Sequence, residues 1–273
     1  MTNEKKAPAY SEAHRAYLRA LRRKDHFVTA MRYLLLLFCL ALWELAARVG
    51  WIDPFIGSSP SRLWAAILRL YQAGELWGHI GVTLLETVVG FVAGTLLGTL
   101  AAVFLWWSAT LNRILDPYLV ILNALPKIAL GPILIVWFGA GMKSIIVMGL
   151  LISLVVTIMS VLAGFNAITD EKQLLMRTLG ASKMQILTMV VLPASLPTIM
   201  NALKISVGMS WVGVIVGEYL VSKAGLGYLI VYGGQVFNLD LVMASIVILC
   251  LLAAIMYYGV AYLERRICQR VGA

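Results

Sequence analysis

Long apolar runs separated by short polar breaks set the pattern of this chain. The runs lie near residues 33–49, 80–107, 117–138, 144–165, 205–221 and 241–263. Each is continuous rather than alternating, which reads as helix and not as a strand of a membrane barrel. A bilayer core about 30 Å thick is crossed by about 20 apolar residues in helical form. The pattern therefore predicts an all-α integral membrane fold with six transmembrane helices. Composition agrees, because 61% hydrophobic and 13% charged residues exclude an ordinary soluble domain.

Several local patterns refine these runs. Gly90, Gly94 and Gly98 fall four apart on one face of the second span, where small residues let another helix approach closely. Pro126 and Pro132 interrupt the third span and free the carbonyls of Leu122 and Ile128, so this span should be kinked. Glu44 and Arg48, four apart in favourable order, predict a pair on one helix face. Between the first two spans, Leu63, Trp64, Ile67, Leu68 and Tyr71 mark one apolar stripe on a short surface helix.

One polar break differs from the rest. Residues 169–201 carry Asp170, Glu171, Lys172, Arg177, Gly180 and Lys183, then Pro193 and Pro197. Leu174, Leu175 and Leu179 predict the apolar face of a short helix ending near Gly180, a residue suited to a left-handed turn. Ser182 and Gln185 match a capping box that starts a second helix, whose apolar positions Ile186, Leu187, Val190 and Val191 should run until Pro193 stops it. The expected product is a helix, a tight turn and a second helix projecting from the membrane.

Charge gives this segment a side. The net charge is +9, and under a six-span arrangement sixteen Lys and Arg fall on the side of the two termini. Arg48, Arg62, Arg69, Lys143 and Lys223 fall on the other, and Lys127 lies inside a span. Such asymmetry is the positive-inside pattern. It places both termini and the 169–201 segment in the cytoplasm, and it argues for a lipid membrane rather than nucleic acid as the partner of the basic charge. The tail through His26 reads either as a helix on anionic headgroups, with Arg15, Arg19, Arg22 and Arg23 at helical spacing, or as a solvated leader. Cys39, Cys250 and Cys268 have no metal or disulfide spacing.

Ionisable and polar groups inside the spans are candidates for a pathway. Lys127 follows the Pro126 kink; it either faces a path for an anionic solute or pairs with backbone or headgroups. Glu218 is either a gate residue or a hydrogen-bond anchor for the Gly225–Gly227 turn. Asn123, Pro126 and Ser210 are further pathway candidates, and Glu86 has no nameable partner. No catalytic pair and no metal-ligating cluster is visible.

These residues carry a family resemblance. Arg177-Thr178-Leu179-Gly180-Ala181-Ser182, followed by Val190-Val191-Leu192-Pro193, resembles the cytoplasmic loop of ABC importer permeases. The family pattern runs Glu-Ala-Ala, three residues, Gly, nine residues, Ile-x-Leu-Pro. Leu174, Leu175 and Met176 stand where Glu-Ala-Ala is expected, so the acidic contact to an ATPase partner is missing. Ser59-Pro60-Ser61-Arg62, Leu125-Pro126-Lys127-Ile128 and Gly225-Leu226-Gly227-Tyr228 resemble the nitrate/sulfonate/taurine branch.

The resemblance implies a type I ABC importer permease fold, with a basic tail at 1–30, a permease domain at 31–264 and a C-terminal tail at 265–273. Its loop at about 166–201 would be the coupling helix, with Arg177, Thr178, Leu179, Gly180, Ala181 and Ser182 at the ATPase contact. It implies a bacterial inner-membrane location, a second permease copy as a homodimer, a cytoplasmic ATPase dimer and an external binding protein delivering a small, nitrate-, sulfonate- or taurine-like solute. No cofactor is expected in this chain. ATP and Mg²⁺ belong to the ATPase, since the nearest phosphate-loop match, at Lys143-Ser144, has Met142 where glycine is required. The competing expectation is an ATP-independent transporter or channel.

Overall fold

The computed structural model describes residues 12–51 and 53–271, and every regular element among them is helical. Two compact units are present, Met1–Leu63 and Trp64–Ala273.

In the first unit, α1 (Glu12–Val49) is one helix of 38 residues, so most of the expected basic tail is helical. The tail's first eleven residues lie outside the described residues. The apolar part, His26–Val49, is long enough to cross a membrane. Glu44 accepts from Arg48 Nε at 2.8 Å, as the spacing predicts, and also from the Ser61 N–H and hydroxyl, each at 3.0 Å. Its carboxylate thereby caps the first turn of α3 (Pro60–Gln72), where Ser61 N–H has no partner within the helix. Asp53 Oδ1 accepts from Phe55 N at 2.8 Å and closes the turn into α2 (Pro54–Gly57).

The second unit continues α3 and adds α4 (Leu76–Trp107), α5 (Ala109–Ala124), a 3₁₀ turn (Lys127–Leu130) and α6 (Gly131–Phe138). Then come α7 (Met142–Asn166), α8 (Asp170–Thr178), α9 (Lys183–Ile186), a π turn (Leu187–Val191), α10 (Leu192–Val221), α11 (Leu226–Gln235) and α12 (Leu239–Val271). Among the described residues of both units, five stretches, His26–Val49 included, are long and apolar enough to cross a membrane as continuous helices. The sixth is broken: α5 and the segment Lys127–Phe138 meet at 90°.

That break corrects the expected kinked third span. The ring of Pro126 disfavours helix at the preceding residue, and Leu125 is accordingly extended at φ −59°, ψ 134°. Pro132 causes no kink. It lies in the first turn of α6, where a missing N–H costs nothing, and the Ile128 carbonyl accepts from Gly131 N–H.

The centre of this unit is the α4–α7–α10 seam. A Cβ placed on Gly94 would lie 2.2 Å from Ser153 Oγ, and one on Gly98 would lie 2.8 Å from Thr157 Cβ. The glycine face of α4 thus receives α7, as its spacing predicts. Gly149 of α7 also meets Gly213 of α10, and Thr157, already against Gly98, turns its Oγ1 to Ser206 Oγ of α10 at 2.7 Å. Buried Leu76, Trp211, Leu226, Leu229 and Leu249 join α4 and α10 to α11 and α12, and Lys204 pairs with Glu264 at 2.9 Å.

Helix α3 departs from its expected single stripe. Leu63, Ala66 and Leu70 are buried, whereas Trp64, Leu68 and Tyr71 form a second, exposed row.

Candidate functional site

The polar segment after α7 folds as a helix and a tight turn. Gly180 adopts φ +79°, a backbone conformation that a side chain disfavours. Ala181 N–H reaches the Met176 carbonyl at 3.0 Å, and Gly180 N–H reaches the Arg177 carbonyl at 2.9 Å. These two bonds are a Schellman closure of α8, and Met176 and Ala181 both pack on the buried cluster beneath. The capping box follows directly: Ser182 Oγ accepts from Gln185 N at 3.3 Å, and Gln185 Oε1 accepts from Ser182 N at 2.7 Å.

Past the cap, the structure differs from the expected stop at Pro193. A π turn over Leu187–Val191 carries the helix into α10, with Leu192 N–H bonded to the Leu187 carbonyl. The wider turn relieves the clash between the Pro193 ring and the carbonyl four residues back. The helix from Lys183 to Val221 is consequently continuous over 39 residues. The second half of the polar segment is thus the start of the fifth span, and only α8 and the Gly180 turn stand apart from it.

Leu174, Leu175 and Leu179 point away from the chain's own core. They are 60%, 61% and 74% exposed, while Met176, Ile186 and Leu187 anchor the segment inward. Met184 and Met189 extend the outward apolar surface, and Arg177, Thr178 and Ser182 are exposed beside it.

Lys183 holds this segment to α4. Its ammonium donates to the Trp107 carbonyl and lies 5.8 Å from the Trp106 ring centroid and 5.5 Å from that of Trp107. A cation at the end of α4 meets the negative pole of the helix and two indole faces together. Nothing in the spacing of Lys183 announces this contact, which joins residues 76 apart in sequence.

The pathway candidates fall in two places. Asn123, Pro126 and Lys127 share the α5–α6 bend, where Asn123 and Pro126 are exposed. Lys127 Nζ donates to the Asn123 carbonyl at 3.0 Å, so its cation satisfies the end of α5. Ser210 and Glu218 are instead buried on α10, and Ser210 Oγ has no partner.

Glu218 is the centre of a network that the sequence suggests only in part. Its Oε1 accepts from Thr83 Oγ1 at 2.6 Å and its Oε2 accepts from Gly227 N at 2.5 Å. Thr83 Oγ1 accepts in turn from Leu226 N, and His79 Nδ1 accepts from Gly225 N at 2.9 Å. The expected anchor for the Gly225–Gly227 turn is therefore present, and α4 shares in it. Glu86 is buried on α4 three residues past Thr83, and its Oε2 has no hydrogen-bond partner. Among the described residues, no three His, Cys, Asp or Glu are grouped to hold a metal ion.

Comparison with known proteins agrees with this architecture. Residues 94–269 match the family described as binding-protein-dependent transport system inner membrane component. A probable ABC transporter permease of Haemophilus influenzae is 34% identical over 83% of this chain and 92% of its own length. The taurine transport system permease protein TauC of Escherichia coli is 28% identical, over 84% of this chain and 85% of its own. Among solved structures, an inward-facing form of the MetNI methionine ABC transporter superposes with a TM-score of 0.62 at 23% identity. It covers 73% of this chain and 97% of that chain, a likeness of fold.

Proposed function

The chain belongs to the binding-protein-dependent transport system inner membrane components, the multi-pass permease subunits of ABC importers, and from that premise we propose how its parts work. Two copies enclose the pathway. A pair of cytoplasmic ATPase subunits binds ATP and Mg²⁺ and hydrolyses ATP, and an external binding protein delivers the solute. The family membership leaves no place for the ATP-independent alternative.

The observation that carries the coupling role is the outward face of α8. Leu174, Leu175 and Leu179 are exposed beside a turn that is closed on both sides by backbone and cap hydrogen bonds. An apolar face on a rigid mount suits insertion into a groove of a partner, here the ATPase. Arg177, Thr178, Gly180, Ala181 and Ser182 shape and border that contact. Closure of the ATPase dimer then moves the permeases as rigid bodies between inward- and outward-facing states.

The charge sorting supports cytoplasmic termini and a cytoplasmic α8 in the bacterial inner membrane. The solute is small and taurine- or sulfonate-like, a reading supported by the similarity to the taurine permease. Asn123, Pro126 and Lys127 lie on the pathway side at the α5–α6 bend, while Ser210 and Glu218 serve packing and the loop after α10.

The test is Gly180→Trp, reconstituted with its ATPase and binding protein. The expected outcome is a folded permease with ATP-driven uptake lost, and undiminished uptake would refute the coupling role. A cysteine substituted for Ser182 should be labelled only from the cytoplasmic side. Labelling from outside in intact cells would overturn the orientation.

A further inference from the structure

We infer that the cleft between α4, the start of α7 and the loop after α10 binds a small zwitterion, with its ammonium on Glu86 and its acid group on Lys223. The cleft holds about 280 Å³. Pockets for drug-sized ligands run from about 300 to 1,000 Å³, so this one suits a smaller solute or a single headgroup.

Two opposite charges line it at different depths. Glu86 is 1% exposed, whereas Lys223 is open to solvent. Among the described residues, Glu86 Oε2 has no hydrogen-bond partner, so Lys223 does not reach it. A buried carboxylate oxygen without a donor is costly, and a donor carried by a ligand removes that cost. The terminal torsion of a glutamate is soft, so either oxygen can turn to the cleft that the side chain lines. Glu218 supplies the contrast. The Thr83 hydroxyl and the Gly227 N–H occupy its two oxygens, which accounts for that carboxylate within the fold. No such bonds account for Glu86, and an ionisable group at membrane depth without a structural partner marks a site for a ligand.

Lys223 stands on a pinned turn. Ser222 Oγ accepts from Ala224 N at 3.2 Å and donates to the Ala224 carbonyl, which fixes the backbone on both sides of Lys223. The next N–H, of Gly225, donates to His79 Nδ1 of α4 at 2.9 Å. The root of the lysine is thereby fixed relative to α4, while its flexible stem lets the ammonium follow an anion at the mouth. Val82, Met142 and Val221 contribute apolar wall, suited to a short methylene link between the two charged ends. Gly141 has nothing within 4 Å of an added Cβ, so the backbone leaves space on that side.

An ammonium and an acid joined through a two-carbon link is the chemistry of taurine and equally of a phosphatidylethanolamine headgroup. The solute source rests on the transport reading proposed above, which sets this cleft on the outer side of the membrane. The lipid source does not need that reading.

The experiment titrates the purified full chain in detergent by calorimetry, without ATPase or binding protein. Taurine is compared with ethanesulfonate, which lacks the ammonium, and dihexanoyl phosphatidylethanolamine with dihexanoyl phosphatidylglycerol. In at least one pair the ammonium-bearing member should bind about tenfold tighter, the effect of one charge-assisted hydrogen bond. A preference in the taurine pair assigns the cleft to a solute, and a preference in the lipid pair alone assigns it to the outer leaflet. Glu86→Gln should bring the preferred ligand down to the level of its ammonium-free counterpart and leave the counterpart unchanged, a split that misfolding would not produce. Lys223→Ala should weaken both members of the preferred pair together. Equal binding within both pairs overturns the inference with no variant needed. A preference that survives Glu86→Gln overturns it too, as does Lys223→Ala binding as wild type does. Uptake is not among the readouts, so failure of the coupling role is distinguishable from failure of this site.

Discussion

The seam between α7 and α10 supports a quantitative test. A Cβ added at Gly213 would lie 2.6 Å from Gly149 Cα, and 3.0 Å from both Gly149 N and Met148 O. All three are backbone atoms of α7, so no side chain can rotate aside. Non-bonded carbons settle about 3.5–4.0 Å apart, which forces the two helices to part locally by about 1 Å. Overpacking of this kind costs about 1–3 kcal/mol. Alanine regains about 1 kcal/mol over glycine in a helix interior, so Gly213→Ala should lose up to about 2 kcal/mol net. Gly208 of the same helix has nothing within 4 Å of its added Cβ. Gly208→Ala therefore receives the helical gain without the clash. Thermal challenge of the detergent-purified chain, read as the fraction still monodisperse on size exclusion, should place Gly208→Ala at or above wild type and Gly213→Ala clearly below. Coincident curves for the two variants would falsify the close-contact account.

Three further outcomes are expected. Lys183→Ala removes the bond to the Trp107 carbonyl and the contacts with both indoles, a loss of about 1–2 kcal/mol from the mounting of α8. Amide exchange over residues 183–189 should quicken, and unchanged exchange would count against the anchor. Ser182→Ala deletes half of the capping box at a cost of about 1 kcal/mol, visible as faster exchange at the Gln185 amide; if that amide exchanges as before, the cap does not hold the turn. Lys204→Met leaves Glu264 without its cation at a cost of about 1 kcal/mol, and a double-mutant cycle with Glu264→Gln should return a positive coupling energy. A coupling indistinguishable from zero would show that the pair is incidental.

Features governed by local chemistry were legible in the chain. The glycines four apart on α4, the Glu44–Arg48 pair, the Gly180 turn and the Ser182 cap each depend on residues within one or two helical turns, or on one helix face. Features decided by distant neighbours were not. The outward direction of Leu174, Leu175 and Leu179 depends on Met176 and Ile186 taking the inward positions instead. The two-row pattern of α3 arises because Leu70 packs in the cluster with Trp211 and Leu226, leaving Trp64 and Tyr71 outside. Pro126 announces a kink, but not a 90° break. Pro193 looks like a stop until the π turn before it is seen. Nothing near Glu218 in sequence announces Thr83, which lies 135 residues away on another helix.

The ties between α4 and α10 have a mechanical consequence. Lys183 rivets the start of the long helix to the last residue of α4, and Glu218 near its end is pinned to Thr83 in the first turns of α4. With α7 wedged along the seam between them, the two helices form a frame braced at both corners. Such a frame resists shear, so neither helix can slide past the other without breaking a brace. A displacement applied at α8 is then not dissipated along the way. It arrives at the far side of the membrane as a rotation of the whole frame, with the loop after α10 carried along as its outermost edge.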